Sequence, residues 1–484
     1  MKKQLLTFLF AALLLASCSD PDETISEIQT EARPQTETIT ENTDISPQIP
    51  AVDYNGYEFT ILTTDIAENE TAYHEVFCEE QNGEPVNDAV YLRNTTVGDK
   101  YNIVIKGIYT GLFDYSTFTK AVSAGDDVYD IIMPNQMSAV QYACNGYLQE
   151  ITSIPHLDFS KPWWLENSVK ETSVGGTSYF AIGDMNLASW ESTPVIFYNK
   201  SMAANYDVSN LYSLVYDGKW TYDTMLKICS EVSTDLNGNG KYDENDAYGL
   251  ALNSFSVYTM TYGGGFRLVS RDNNDIPQID LSEGFISFLQ RHINECNNNT
   301  SIMNGDLLGN GDVLKGVAIR KTAFQENRVL FYNEMLTMAS MLRDMETDFG
   351  VLPMPKSDEA QQQYYSFFHK SNSSTIAVPV TSVEPERLGA VIEDMQYQSH
   401  LLVRPAYLNT TVKNKTMRDE ESEQMLDMIL SNIIFDVVLE PGILDACRPL
   451  FNKANDNIVS ALEKQMKTFE KNLQEYIDAL LTDE

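Results

Sequence analysis

Y-E-F-T-I-L-T at Tyr57 to Thr63, Y-N-I-V-I-K at Tyr101 to Lys106 and V-Y-D-I-I-M at Val128 to Met133 decide the fold. Each run is rich in β-branched and aromatic residues, and the first alternates as a half-buried strand does. Between the first and second runs, Asp88 to Lys100 reads as a helix. Between the second and third, Thr117 to Ala124 reads as a short helix closed by Gly125, and Pro134 stops the third strand. A helical crossover returns the chain to the end of the sheet where it started, so successive strands run parallel. Strand, helix, strand, helix, strand is the pattern of an α/β protein.

Working outward, Tyr179 to Ile182 (Y-F-A-I) and Pro194 to Tyr198 (P-V-I-F-Y) are further apolar runs. Trp220 to Ser233 reads as a helix capped by Thr221, with Met225, Ile228 and Val232 on one face. Glu423 to Val438 is a second apolar-rich helix. Ile458 to Leu481 is the last, with Ile458, Leu462, Met466, Phe469, Leu473, Ile477 and Leu480 recurring at spacings of three and four. That face suits packing on a lobe; a membrane-surface helix would carry more Lys and Arg on its polar face. The sequence shows no internal repeat.

The chain after Pro50, about 430 residues, exceeds the size at which one hydrophobic core stops growing, so two lobes are expected. A formal net charge of -37 excludes a phosphate-backbone partner, which requires a basic surface. Beyond Cys18 there are five cysteines: Cys78, Cys144, Cys229, Cys296 and Cys447. They are far apart, odd in number and form no C-x-x-C pair, which suits small buried hydrophobes. The five histidines show no metal-binding spacing.

The N-terminus has the zones of an export signal: Lys2 and Lys3, an apolar run from Leu5 to Ala16, then L-A-S-C ending at Cys18. The run is shorter than the ~20 apolar residues of a membrane span. L-A-S-C resembles the bacterial lipobox. That resemblance implies that 1–18 is a lipoprotein signal peptide and that Cys18 is acylated, with palmitate-type chains anchoring the protein to the extracellular face of the cell membrane. Residues 19–50 are rich in Thr, Glu, Ser, Pro and Asp. They lack the apolar surface needed to offset the entropy of ordering, and are expected to form a disordered tether.

Several stretches together resemble the extracellular solute-binding proteins of bacterial ABC importers, in their carbohydrate-binding group. They are V-Y-D-I-I-M-P with L-Q-E-I-T-S-I-P at Leu148 to Pro155; G-G-T-S-Y-F-A-I-G-D through S-T-P-V-I-F-Y-N-K, Gly175 to Lys200; D-G-K-W-T-Y-D-T-M at Asp217 to Met225; D-F-G-V-L-P-M-P-K at Asp348 to Lys356; and T-I-A-V-P-V at Thr375 to Val380. One departure is N-R-V-L-F at Asn327 to Phe331, where such proteins often carry Gly. The resemblance implies a two-lobed periplasmic-binding-protein-like (type II) fold with a ligand cleft between the lobes and hinged closure. Lobe 1 is then expected over 51–180 and 332–380, and lobe 2 over 181–331 and 381–484. The function implied is capture of a mono- or oligosaccharide and its delivery to ABC transporter permease subunits, without catalysis. A surface glycoside-acting enzyme and a peptide-binding lipoprotein are the alternatives.

Two sets of site residues follow. D-L-N-G-N-G-K-Y-D-E-N-D, Asp235 to Asp246, places oxygen ligands as a calcium loop does: Asp235, Asn237, Asn239, the Lys241 carbonyl, Asp243 and Glu244, with Asp246 as a substitute for Glu244. Gly240 stands where such a loop turns sharply. A structural Ca²⁺ is therefore expected in the second lobe, as related sugar-binding lipoproteins look to carry; a polar turn is the plainer reading. For the ligand, aromatic faces that stack on sugars are sought in irregular stretches: Trp163, Trp164, Trp190, Tyr262 and Phe266. Gly263 to Gly265 is not a phosphate cradle, because it lacks the P-loop pattern.

Overall fold

The structure is a computed structural model that describes residues 45–481 apart from 65–73, 112–113, 115, 209, 414–419, 437–441 and 454–456. The signal peptide, Cys18 and most of the tether lie outside the described residues.

The N-terminal pattern folds as its periodicity dictates. Strand β1 (Tyr57–Thr64) leads to helix α1 (Pro85–Tyr101), strand β2 (Ile103–Thr110), helix α2 (Ser116–Ala124), strand β3 (Ile131–Met133) and helix α3 (Gln136–Cys144). The strands form a parallel sheet in the order β2-β1-β3. Tyr101, expected to open the second strand, instead ends α1. Asn102 then takes a left-handed φ of 48, a conformation its short polar side chain tolerates. Alternate residues of β1 serve opposite faces. Phe59 and Ile61 pack with Val97, Leu388, Val391 and Met395, whereas Leu62 packs with Phe118, Val122 and Tyr142.

A second sheet contains β4 (Pro194–Asn199), β5 (Tyr248–Leu252), β8 (Ile302–Asn304), β9 (Val329–Met335) and β10 (Phe349–Leu352) in the order β10-β4-β9-β5-β8. Two short strands, β6 (Val269–Arg271) and β7 (Pro277–Ile279), pair as a ribbon elsewhere. Another ribbon joins β11 (Ser366–Phe367) to β12 (Ile433–Ile434) in parallel. In β4, Val195 and Phe197 face one core while Ile196 and Tyr198 face the other. A strand buried on both sides reads as an unbroken apolar run, which is why P-V-I-F-Y shows no alternation.

Segment T-I-A-V-P-V ties the first sheet to the neighbouring chain. The Ile132 amide donates to the Ala377 carbonyl at 2.9 Å and the Ala377 amide donates back at 3.0 Å; the Ile376 amide donates to the Ala181 carbonyl at 2.8 Å. This corrects the expected lobe boundaries. Residues 332–352 stay in the second sheet, because β9 continues through Met335 and β10 pairs antiparallel with β4. Helix Pro385–Gln398, expected in lobe 2, packs on the first sheet through Leu388, Val391, Ile392 and Met395. Helix Ile458–Leu481 serves both: Ile458, Leu462 and Phe469 join the second core, and Leu473, Ile477 and Leu480 join the first. The helix expected over Glu423 to Val438 covers Glu420–Ser431 and gives way to β12.

Helix Tyr222–Val232 is capped as expected, with the Thr224 amide donating to Thr221 Oγ1 at 3.2 Å. Asn327 adopts a left-handed φ of 58, so an asparagine serves at the turn where glycine was missing. All five described cysteines are free thiols; Cys78, Cys229, Cys296 and Cys447 are buried and Cys144 is half-buried. Among the described residues no helix is long and apolar enough to cross a membrane.

Candidate functional site

The C-terminal end of a parallel strand is where an α/β sheet presents its ligand-facing loops. At the end of β3, Pro134 leads into Asn135, whose side chain caps α3 by accepting from the Ser138 amide at 3.0 Å, and into Gln136. At the end of β5 the chain enters helix Ser256–Gly263, which presents Tyr258 and Tyr262 one turn apart. The β11–β12 ribbon supplies Phe367 from β11, with Phe368 and Lys370 just after it, and Asp436 just after β12. Gln136, the two tyrosines and these ribbon residues line one cavity together with 442–444.

The aromatic wall is built of stacked rings. The Tyr262 and Phe367 rings lie 4.8 Å apart and 8° from parallel, Tyr258 stacks on Phe367 at 5.7 Å, and Phe255 stacks on His369 at 4.8 Å. Polar groups punctuate this wall. Tyr262 donates its hydroxyl to Asp436 Oδ2 at 2.8 Å, and Gln136 Nε2 reaches the Asp436 carbonyl at 3.4 Å. Tyr258 donates to Asp445, which also faces Lys370 Nζ at 3.2 Å. Burial would raise the Asp445 carboxyl, but the Tyr258 hydroxyl, the Lys370 charge and the Gly442 amide outweigh it and hold it below the usual range. Burial, with the charge of Asp436, drives the Tyr262 hydroxyl far up, and burial lowers His369 to about 4. At neutral pH the wall therefore offers tyrosine hydroxyls and a neutral imidazole beside the Asp445 carboxylate. Its volume is about 50 Å³, well below the ~300–1,000 Å³ of small-molecule pockets.

Of the aromatics singled out in the sequence, only Tyr262 stands in this wall. Phe266 is half-buried against Phe285 and Phe288. Trp163 and Trp164 are core residues of the first sheet, and their indole N–H groups both donate to Glu393, at 3.0 and 2.9 Å. Trp190 is buried beneath the Arg404 guanidinium, 4.9 Å from its ring, and lines a different cavity. Tyr258, Phe367, Lys370 and Asp436 were not singled out. The signal for the first lay in Y-T-M-T-Y, two tyrosines four apart; the others depend on strand pairing.

The loop Asp235–Asp246 follows helix Tyr222–Val232 and is closed by Thr234 and Ala247, which exchange backbone hydrogen bonds at 3.1 and 3.0 Å. Gly238 and Gly240 have φ of 70 and 75, conformations that favour glycine. Asp235 accepts from both their amides at 2.7 Å. Asn237 and Asn239 direct their amide groups at Asp243 Oδ2, at 3.5 and 3.4 Å. The Asn237 and Asn239 side-chain oxygens accept from the Asn239 and Lys241 amides at 3.0 and 2.7 Å, so the oxygens of Asp235, Asn237 and Asn239 are of the kind a hard cation takes and are here held by backbone N–H groups. Asp246 fits poorly: it is buried, and its two oxygens accept from the Leu236 and Asp243 amides at 2.9 and 2.8 Å. Glu244 is exposed. Among the described residues no group of three His, Cys, Asp or Glu side chains converges as a metal site, so any cation here depends on the asparagine and backbone oxygens.

No family model matches this chain, and no curated protein matches it. Solved structures do. It is similar to the sugar-binding protein MalE from Xanthomonas citri, at 11% identity over 88% of this chain and 100% of that one, with a TM-score of 0.57. A sugar transporter protein from Rhizobium etli in an open conformation gives 13%, 89%, 100% and 0.56. An ABC substrate-binding protein from Listeria monocytogenes in complex with cycloalternan gives 13%, 87%, 100% and 0.54. With the two sheets, this defines the fold as the two-lobed, type II periplasmic-binding-protein-like α/β fold.

Proposed function

We propose that this protein captures a mono- or oligosaccharide between its two sheets and hands it to the permease of an ABC importer, without chemical change. The observation that carries this reading is the cavity where Gln136, at the end of β3, meets the tyrosine-rich wall of helix Ser256–Gly263 and the β11–β12 ribbon. Flat aromatic faces stack on the C–H faces of pyranose rings, and Asp436, Lys370 and Gln136 supply acceptors and donors for hydroxyls. The similar chains named as sugar-binding support the same ligand class. Titration of the purified protein against a sugar panel should find one ligand bound stoichiometrically in the micromolar range, roughly -8 kcal/mol, and recovered intact. Appearance of reducing ends would overturn the reading in favour of an enzyme.

Two finer features belong to the same proposal. The lipobox-like L-A-S-C supports acylation at Cys18, so Cys18→Ala should release the protein from the membrane fraction or stall its processing. Asp235, Asn237, Asn239 and Asp243, with the Lys241 carbonyl, would hold one Ca²⁺ whose role is to fix the turn between helix Tyr222–Val232 and β5.

A further inference from the structure

The tyrosine-walled cavity has a sign as well as a shape. Among the described residues its lining carries two charged side chains, Lys370 and Asp436, brought to one wall by the pairing of β11 with β12. A third charge, Asp445, touches two lining residues at once. Its Oδ2 lies 3.2 Å from Lys370 Nζ, and its Oδ1 accepts from the Tyr258 hydroxyl. The Gly442 amide donates to the same Oδ2 at 2.8 Å. Burial would raise this carboxyl, but these partners outweigh it and keep Asp445 ionised at neutral pH. The positive charge of Lys370 is thus already met within the protein, and Asp436 adds a second carboxylate, which accepts from the Tyr262 hydroxyl at 2.8 Å.

Neighbouring groups do not reverse that sign. His369, stacked on Phe255, is lowered to about 4 by burial and carries no charge at pH 7. Glu171 accepts from the Phe435 amide at 2.7 Å and is paired with Arg267 at 2.6 Å. Arg448 is exposed and donates to Ser254 Oγ at 3.3 Å. Among the described residues no arginine lines the cavity, and arginine is the side chain whose planar fork suits a carboxylate or phosphate. The balance is two carboxylates to one lysine beside stacked aromatic rings. Bringing a like charge into such a place is costly, whereas a cation is drawn to carboxylates and to aromatic faces.

We propose that this site selects its sugar by charge: uncharged and amino sugars are taken, sugars that carry a carboxylate or phosphate are refused, and Asp436 and Asp445 set the selection. The inference rests on the reading of this cavity as a sugar site. A sugar hydroxyl can donate to Asp436 or accept from Lys370 and Gln136. The carboxylate of a uronate would find Lys370 engaged by Asp445 and would meet Asp436 as a like charge.

Calorimetric titration of the purified protein with matched hexoses tests this, each as mono- and disaccharide: glucose, glucosamine and glucuronate; galactose, galactosamine and galacturonate; mannose, mannosamine and mannuronate. In the set that binds, the uronate should be weaker than the neutral sugar by about tenfold or more, and the amine should not be weaker. Asp436→Asn, which keeps the shape and removes the charge, should narrow the gap between uronate and neutral sugar. Asp445→Asn, which releases the Lys370 charge, should narrow it too. A uronate that binds as well as its neutral counterpart overturns the charge selection and leaves sugar capture standing. A gap unchanged in both variants overturns the assignment to Asp436 and Asp445. Binding by no member of any set counts against sugar capture itself and takes this inference with it.

Discussion

The two cavities use aromatic residues in opposite ways. In the tyrosine-walled cavity the rings stand parallel and their hydroxyls are tied to carboxylates, Tyr262 to Asp436 and Tyr258 to Asp445. In the tryptophan-walled cavity the indoles are packed into the core: Trp164 is bonded to Glu393, and Trp190 lies under Arg404. The difference teaches that ring size is a poor guide to function. A large indole contributes most to stability when it is fully buried, whereas a tyrosine can pack one face and keep a polar handle at a cleft.

This contrast can be broken most decisively at Trp163. It is fully buried, with its indole N–H on Glu393 at 3.0 Å. Trp163→Ala should cost about 3–5 kcal/mol of stability, read by denaturant unfolding, whereas sugar affinity of the remaining folded protein should stay within a factor of about two, since Trp163 does not line the cleft. A large loss of affinity at unchanged stability would return the tryptophans to the site.

The Glu393 carboxyl that receives both indoles is raised to about 7, first by burial and against the hydrogen bonds from Trp164 and Trp163. Glu75 and Glu191 are likewise raised, to about 7 and about 8, with burial the leading cause. A carboxyl whose folded value exceeds its unfolded one takes up a proton on folding. The stability these three carboxyls contribute should therefore fall as pH rises from about 4.5 to about 8, while His292 and His369, lowered by burial to about 3 and about 4, contribute the opposite slope up to about pH 6.5. For Glu393 alone the change is on the order of 3 kcal/mol. Unfolding at several pH values between about 6.5 and 8, above the range in which the histidines act, should show the decline, and Glu393→Gln should flatten part of it; a stability that climbs there would contradict these three environments.

At the other cavity, Tyr262→Ala removes a ring and the donor to Asp436. Sugar binding should weaken by about 1.5–3 kcal/mol, the burial of one large apolar side chain. Tyr262→Phe, which keeps the ring, should lose only about 0.5–1.5 kcal/mol. Equal losses in the two variants would mean that the hydroxyl, and not the face, recognises the ligand.

The smallest expected effect is that of calcium. A loop with two fitting carboxylates should bind weakly, at roughly 10⁻⁴ to 10⁻³ M. Millimolar calcium would then add about 0.4–1.4 kcal/mol. EDTA should lower the melting temperature slightly, calcium should restore it, and Asp235→Ala should remove the response. A melting curve blind to both reagents would leave the segment a polar turn, held by the hydrogen bonds that Asp235 and Asp246 already make.

Local chemistry was legible in the sequence wherever a residue's neighbours along the chain decide its state. The alternation of Tyr57 to Thr63, the Thr221 cap, the three-and-four spacing of Ile458 to Leu481 and the glycines of the 235–246 loop all reappear in the structure. Lobe membership and cleft composition were not legible. Helix Pro385–Gln398 carries an apolar face that would suit either sheet. It lies on the first because the 376–379 segment is hydrogen-bonded beside β3. Tyr258, Phe367 and Asp436 are far apart in sequence and meet only through the pairing of β11 with β12 and the packing of helix Ser256–Gly263 against β11. A tryptophan in an irregular stretch has the same sequence signal whether its N–H faces a ligand or a buried carboxylate. Only the tertiary arrangement, which set Glu393 beneath Trp163 and Trp164, decided between the two, because a buried donor's role depends on the partner that long-range packing brings to it.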